Sequence, residues 1–351
     1  MRIDLNELNI EIEAGNVRRQ IHPSLPLAIY KYSQQCVFSR HWNDITLLCR
    51  GIVLDEVGNV VVNSFSKFFN HSEQDGQSIY ESGKSQNYVV TEKLDGSLIQ
   101  VAKYNGQLVV TSSGSFTSPQ AMKATELINA SEDYINLFED NKTYLFELIY
   151  PENRIVINYG DKVSLTLLAI RNTETGDEFP LDVNVNSVKT VNMTLDEIES
   201  DLNKSEFINK EGYIVRFSDG SRVKMKYDEY MRLHKIVSGV NEKYIWEALR
   251  DGVDLEASLI GIPDELFDFV KKTIVALKSE FSKKELLARG IYEDIKRLPS
   301  RKEQAMCLIK NHKELSALVF CMLDGSDYSS KIWKIIEPET STRFGMGESN
   351  P

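Results

Sequence analysis

The stretch Tyr88-Val89-Val90-Thr91-Glu92-Lys93-Leu94-Asp95-Gly96-Ser97-Leu98-Ile99-Gln100-Val101 decides how the rest of this chain is read. Tyr88 to Thr91 and Leu98 to Val101 are β-rich runs that predict two strands. A lysine followed by Asp-Gly-Ser stands between them. Lysine is rarely buried unless it is paired or chemically used, so Lys93 is a candidate nucleophile. An amine has an ordinary pKa near ~10.4, and it must be desolvated or set beside other cations to lose its proton. The rest of the chain has to supply the partners.

One source is Lys224-Met225-Lys226. Residues two apart on a strand share a face, so Lys224 and Lys226 converge on one site. Alone, the triplet reads first as a solvated edge strand blunted by lysines. Two carboxylates weigh against that. Glu147 lies inside the apolar run Tyr144 to Tyr150, where a buried carboxylate needs a cation or metal. An edge-strand glutamate facing water fits the same pattern. Glu211 precedes Gly212 at the mouth of the run Tyr213-Ile214-Val215, where a glycine lets the backbone approach a ligand closely. With Arg50, Lys67 and Arg171, the strand-rich region offers cations for phosphates and carboxylates for a divalent metal held through water. Phosphoryl chemistry needs both.

Competing motifs are incomplete. Gly83-Lys84-Ser85 resembles the end of a P-loop, but Ser78 stands where its first glycine belongs. There is no His-Glu-x-x-His pattern and no G-x-S-x-G elbow. His71 and His234 read as ordinary surface or satisfied histidines.

Strand signals dominate up to residue 227. Leu27 to Ser33 is extended, with Tyr30 and Tyr32 on one face. Arg50 to Asp55 and Val60 to Val62 form a hairpin across Gly58-Asn59, and Val101 to Tyr104 with Leu108 to Thr111 form another across Asn105-Gly106. Further strands are expected at Thr143 to Ile149, Ile155 to Tyr159 and Val163 to Ile170. A last hairpin joins Gly212 to Phe217 with Arg222 to Tyr227. Pro119 to Asn129 predicts a helix, and Thr194 to Glu197 a capping box opening a helix to about Leu202. Residues 1–24 carry few signals and are expected to wrap the domain edge. Beyond Asp228 the periodicity is helical, at Tyr244 to Arg250, Asp264 to Phe281, Lys283 to Lys296 and Arg301 to Leu323. The expected domains are therefore 1–240 and a helical 241–338, with a small, polar tail at 339–351.

At 351 residues the chain can hold two domains with cores. A net charge of −11 argues against a broad nucleic-acid coat while leaving room for a local basic cleft. Four cysteines without C-x-x-C spacing read as reduced thiols, which points to the cytoplasm. No signal peptide and no membrane-spanning run is visible.

Taken together, these residues resemble the covalent nucleotidyltransferases: DNA ligases, RNA ligases and capping enzymes. Lys93-Leu94-Asp95-Gly96 resembles motif I and Ser112-Ser113-Gly114-Ser115 motif Ia. Phe146-Glu147 resembles motif III, Arg171 motif IIIa, Glu211-Gly212 motif IV and Lys224-Met225-Lys226 motif V. The strongest likeness is to the phage T4 type of RNA ligase 1, carried by Cys49 to Ile52, Lys67 to Asn70, Lys93 to Leu98, Pro151 to Val156 and Lys224 to Tyr230. It spans roughly residues 28 to 236.

The resemblance implies an α+β fold, with a nucleotidyltransferase domain of twisted antiparallel sheets followed by an all-α domain. It implies an ATP-dependent RNA ligase. Lys93 takes AMP from ATP, the AMP passes to an RNA 5′-phosphate, and a 3′-hydroxyl displaces it. Lys224 and Lys226 would hold phosphates, Glu147 the ribose, and Glu211 a metal-bound water, the metal being Mg2+ with Mn2+ as a substitute. Arg50 and Lys67 would contact the AMP phosphate or the pyrophosphate. Tyr32, Glu92, Arg171 and Tyr230 complete the expected nucleotide-contacting set. Asp264, beside Glu265, reads first as a helix N-terminal charge and second as a metal-facing acid. The expected partner is RNA with 5′-phosphate and 3′-hydroxyl ends, nicked tRNA among the candidates, acted on by a monomer. A DNA ligase or capping enzyme is the first alternative, although both normally append a β-barrel where this chain turns helical. A non-catalytic nucleotide- or RNA-binding module is the second. It would be expected to lack the lysine or the acids, and here all are present.

Overall fold

The computed structural model describes residues 1–204, 209–253, 255 and 264–338, without the side chains of 238 and 264–266. The chain forms two compact units, Met1–Met231 and Arg232–Pro351.

The first unit is built on thirteen described strands: β1 (Val17–Ile21), β2 (Leu27–Tyr32), β3 (Arg50–Asp55), β4 (Val60–Val62), β5 (Phe69–Asn70), β6 (Tyr88–Lys93), β7 (Ser97–Tyr104), β8 (Gln107–Ser112), β9 (Lys142–Ile149), β10 (Ser164–Asn172), β11 (Glu178–Phe179), β12 (Gly212–Phe217) and β13 (Arg222–Lys226). They make three sheets, ordered β1-β2-β3-β4, β11-β10-β9-β7-β8 and β5-β13-β12-β6. All pairings are antiparallel except the short β13–β5 edge, where Val223 and Lys224 face Phe69 and Asn70. The expected α+β class and antiparallel sheets are observed.

Local chemistry sets the register. Asn105 and Gly106 both take positive φ, 50° and 77°, as a two-residue type I′ turn requires, and Tyr104 pairs with Gln107 across it. Thr194 caps Leu195–Leu202 in a complete capping box with Glu197. One core packs β7, β9 and β10 against the helix Pro119–Asn129 through Ile99, Phe146, Leu167, Ala124 and Ile128.

Some expectations need correction. Residues 1–24 hold a helix, Leu5–Glu13, capped by Asp4, and β1, which pairs with β2. Helices also form at Gln34–Ser39, Asp44–Leu48 and Gln74–Gly83. Ile155 to Tyr159 is not a strand: Val156 and Ile157 are buried, but their amides bond to a side chain instead of a neighbouring strand.

In the second unit, Asp264–Ile295 is one 32-residue helix where two were expected. Ser282 lies within it, its hydroxyl donating back to Lys278 O at 2.9 Å. Arg301 to Leu323 is instead divided into Arg301–Asn311, a short 3₁₀ turn and Ser316–Leu323. Ala288, Leu308, Leu318 and Ile332 form the helical core. Trp246 donates its indole N–H to Trp333 O at 2.9 Å.

Candidate active site

The sheet β5-β13-β12-β6 forms one floor of a cleft, and its register explains which side chains meet there. Lys93, Gly212 and Lys226 lie on one rung, Thr91, Ile214 and Lys224 on the next, and Val89, Arg216 and Arg222 on the third. Alternate residues share a face, so the cleft is read in steps of two along each strand. All of these residues but Gly212 line a cavity of about 200 Å³, walled opposite by Phe65, Phe68, Leu98, Glu147 and Leu168.

At the first rung Glu211 joins two lysines. Its carboxylate lies 2.7 Å from Lys93 Nζ and 2.8 Å from Lys226 Nζ, and the residue is 3% exposed. Gly212, at φ +143°, puts no side chain between them, and a Cβ there would lie 2.1 Å from Met225 O. Burial pushes the Lys93 pKa down, but Glu211, Glu147 and Asp95 outweigh it and the net shift is upward. A lysine nucleophile is expected beside other cations. In this state Lys93 is instead an ammonium held by carboxylates. Burial likewise pushes the Glu211 carboxyl up, and the two lysines more than reverse it.

The uncompensated cation is Lys224. Burial, then Arg50, Lys67, Lys93 and Lys226, press its pKa well below the usual lysine range. Among the described residues no carboxylate pairs with it, and its ammonium lies 4.9 Å from the Phe68 ring centre. Arg50 stands over the same ring at 5.1 Å, and its Nη1 is buried with no hydrogen-bond partner.

The turn after Lys93 is pinned from several sides. Gly96 N–H donates to Glu147 Oε1 at 3.0 Å, and a Cβ on Gly96 would sit 2.4 Å from Leu148 O. Asp95, 5% exposed, accepts from the Val156 and Ile157 amides, both at 2.9 Å, and from the Tyr230 hydroxyl at 2.8 Å. Its own amide donates to the Tyr159 hydroxyl. Glu147 is pushed up to about 7, by burial first, with Lys93 pulling the other way.

Of the residues singled out from sequence, Lys93, Glu92, Arg50, Glu147, Lys224 and Lys226 line the cavity, and Glu211 bridges two of them. Tyr230 sits beneath Lys226, whose ammonium is 5.0 Å from its ring. Lys67 and Tyr32 are not among the lining residues. Lys67 Nζ rests in an aromatic cage, 4.7 Å from Phe69, 5.3 Å from Trp42 and 5.8 Å from Tyr32. Arg171 does not line the cavity either; it donates to Gly176 O and to the backbone and side chain of Asn63, and lies behind the cleft wall, 3.9 Å from Glu178 and 5.8 Å from the Phe65 ring centre. The Asp264 side chain lies outside the described residues. Sequence reading missed the far end of the cleft, where Glu178 pairs with Arg222 and, at 3.5 Å, with Arg216. Extending the Lys224/Lys226 alternation one step back would have found Arg222. Glu178 sits in a two-residue strand that carries no such signal.

A strand ending in a paired lysine, a turn pinned behind it and cations converging across a cleft are the features expected of a nucleotidyltransferase site. The sequence model of the RNA ligase family matches residues 48–236, and the chain belongs to that family. It is 33% identical over 159 residues to a protein named bifunctional polynucleotide kinase/RNA ligase from Autographa californica nuclear polyhedrosis virus, covering 38% of this chain and 23% of that protein. It is 30% identical over 203 residues to a protein named RNA ligase from Thermovibrio ammonificans, covering 53% and 52%. These matches span about half or less of each relative's length. A solved archaeal ATP-dependent RNA ligase superposes with a TM-score of 0.49 at 13% identity, over 93% of this chain and 97% of that one. Among the described residues no helix is long and apolar enough to cross a membrane.

Proposed function

We propose that this protein is an ATP-dependent RNA ligase that works through Lys93. The observation that carries the reading is the triad Lys93–Glu211–Lys226 beside an unpaired Lys224 and an orphaned Arg50 Nη1. Buried cations without counterions are costly, and the phosphates of ATP supply the missing charge. Lys224, Lys226 and Arg50 hold these phosphates. The neutral Lys93 amine forms a P–N bond to the α-phosphorus as the bond to pyrophosphate breaks, and the amine proton passes to solvent. An RNA 5′-phosphate oxygen then displaces Lys93, and an RNA 3′-hydroxyl oxygen displaces AMP. Each step is an in-line displacement that depends on alignment and charge neutralisation. Glu147, which accepts from Gly96, both fixes the turn and offers an acceptor to the ribose.

The donor set fits a divalent metal only through water and substrate phosphate. Among the described residues no three His, Cys, Asp or Glu side chains converge, and each Glu211 oxygen faces a lysine. Mg2+ or Mn2+, when bound, adds charge neutralisation at the phosphates, and Glu211 would hold its water shell. Arg216, Arg222 and Glu178 form the far wall toward which the base extends. The natural partner is RNA with 5′-phosphate and 3′-hydroxyl ends, in RNA repair that includes cleaved tRNA, handled by a cytoplasmic monomer. Residues up to about 240 carry the transfer chemistry, and the helical part selects the substrate.

Incubation with α-labelled ATP and Mg2+, followed by denaturing electrophoresis, tests the covalent step. The wild type is expected to carry label and Lys93→Ala to lose it by at least about a hundredfold; label retained on Lys93→Ala sinks the assignment. Circularisation of a 5′-phosphorylated single-stranded RNA, set against sealing of nicked DNA, tests the substrate.

A further inference from the structure

The sheet β1-β2-β3-β4 carries a row of cations up to the cleft. Arg18 on β1 lies opposite Lys31 on β2, and Lys31 lies opposite Arg50 on β3. Opposed residues on neighbouring strands share a face, and strands lie about 4.8 Å apart, so the row spans about 10 Å. It depends on a bulge: the register shifts between Tyr30 and Lys31, leaving Gly51, at φ +100°, unpaired and turning Arg50 toward Lys31. The inner end, Arg50, lines the cleft and keeps its buried Nη1 without a hydrogen-bond partner. The outer end, Arg18, is exposed on the edge strand of the sheet. Among the described residues no carboxylate forms an ion pair with any of the three.

Charges on an edge strand often do no more than blunt the edge, which accounts for Arg18 taken alone. Lys31 is different. It sits on an inner strand, half-buried, and its ammonium donates to the Ser113 hydroxyl at 2.9 Å. Gly114 makes room for its stem, since a Cβ there would lie 2.6 Å from Lys31 Cδ. The loop closes on itself, Ser112 N–H donating to Ser115 O at 2.9 Å. Burial first, then Arg50 and Arg18, press the Lys31 pKa below the usual lysine range. A hydroxyl is a neutral partner, so this cation beside two like charges is left for an anion to neutralise.

The chemistry of the cleft identifies the anion. In the RNA-adenylate of the proposed reaction, the AMP phosphate, the RNA 5′-phosphate and the linkages behind it form one run of negative charge. That run starts where Arg50 stands, and the strand behind it has to leave the cleft. The outer phosphates of ATP make a shorter run, already met by Lys224 and Lys226 inside the cleft. They need no cation at the sheet edge. We propose that Lys31 and Arg18 bind the backbone phosphates next to the 5′-phosphate of the RNA strand being activated, leading that strand out of the cleft across β2 and β1. The proposal rests on the ligase reading above. Contacts of this kind fix the position of a strand without reading its sequence.

The test titrates 5′-phosphorylated single-stranded RNA against the ATP-free protein by fluorescence anisotropy at several salt concentrations. Labelling of Lys93 by α-labelled ATP is measured in parallel, and circular dichroism checks the fold of each variant. Lys31→Met keeps the stem over Gly114, and Arg18→Gln keeps a polar chain at the edge. The double variant is expected to bind RNA at least about tenfold more weakly at low salt. Its slope of log K against log salt is expected to be shallower by about 1.4, at about 0.7 for each cation removed. Its Lys93 is expected to take label as the wild type does. RNA with uncharged methylphosphonates at the first two linkages behind the 5′-phosphate locates the contact: it is expected to weaken the wild type and leave the double variant unmoved. Unchanged affinity and slope in the folded double variant, or methylphosphonates that weaken both proteins equally, overturn the assignment. So does loss of label in folded Lys31→Met, which gives Lys31 to the phosphates of ATP. Absence of label on the wild type overturns the ligase reading itself. RNA binding is read without ATP, and the two failures are thereby told apart.

Discussion

Glu147 shows how burial and charge divide one side chain between stability and chemistry. Its carboxyl is pushed up to about 7 by burial, against the pull of Lys93. The folded protein therefore binds this proton more tightly than the unfolded chain, whose carboxyl titrates near 4.5. By linkage, the group's contribution favours folding fully below about 4.5 and is lost as the pH rises through about 7. Urea unfolding of the wild type is expected to show a midpoint that falls between pH 5 and pH 8, with Glu147→Gln flattening that fall. An equal fall in the variant would assign the slope to other groups. Lys93 shifts in the opposite functional sense: carboxylates keep it charged, so the proposed nucleophile must give up a proton before it reacts. The sequence led to a lysine that lines the cleft, with an incomplete electrostatic account, because the position of Glu211 between Lys93 and Lys226 depends on cross-strand register.

At the scale of elements, the segment 155–159 is instructive. Its apolar run looks like a strand, and Val156 and Ile157 are indeed buried. Their amides end on Asp95 Oδ2, and Tyr230, near the start of the helix Asp228–Gly239, ends on Asp95 Oδ1. One carboxylate thus fastens a loop and a helix to the turn that follows Lys93. Asp95→Ala leaves two buried amides unpaired, at about 1–3 kcal/mol each. Chemical denaturation is expected to show a loss of about 3 kcal/mol or more, against about 1 kcal/mol for Tyr230→Phe; equal small losses would deny Asp95 this role. Hairpins with strong turn chemistry, such as Asn105-Gly106, were legible, as were the capped helices at Pro119 and Thr194. The short elements at the start of the chain were not, since β1 is only five residues and depends on β2 for its partner. Lys67 was legible as a cation before aromatics, but the cage partner Trp42 comes from a separate loop.

Across the whole molecule, a chain of net charge −11 keeps a cluster of partly buried cations in one cleft. The fold itself opposes that arrangement. Lys224 lies in it without a carboxylate partner among the described residues, and its pKa is pressed well below the lysine range, first by burial. The unfolded chain therefore holds this proton more tightly than the folded one. The resulting penalty is present at neutral pH and disappears as the pH rises past the ordinary lysine value near ~10.4. Lys224→Met keeps the aliphatic stem beside Phe68 and removes the charge, so the ligand-free variant is expected to be more stable than the wild type by about 1 kcal/mol or more at pH 7. That advantage is expected to shrink toward pH 10. Inorganic pyrophosphate, bound by the proposed cations, reverses the order: at about a hundred times its Kd it stabilises the wild type by about 2.7 kcal/mol, or several degrees in melting temperature, and leaves Lys224→Met unmoved. Thermal melts with and without pyrophosphate decide it. A variant that melts below the ligand-free wild type, or that gains as much from pyrophosphate, would show that Lys224 is not the strained phosphate-holding cation of this cleft.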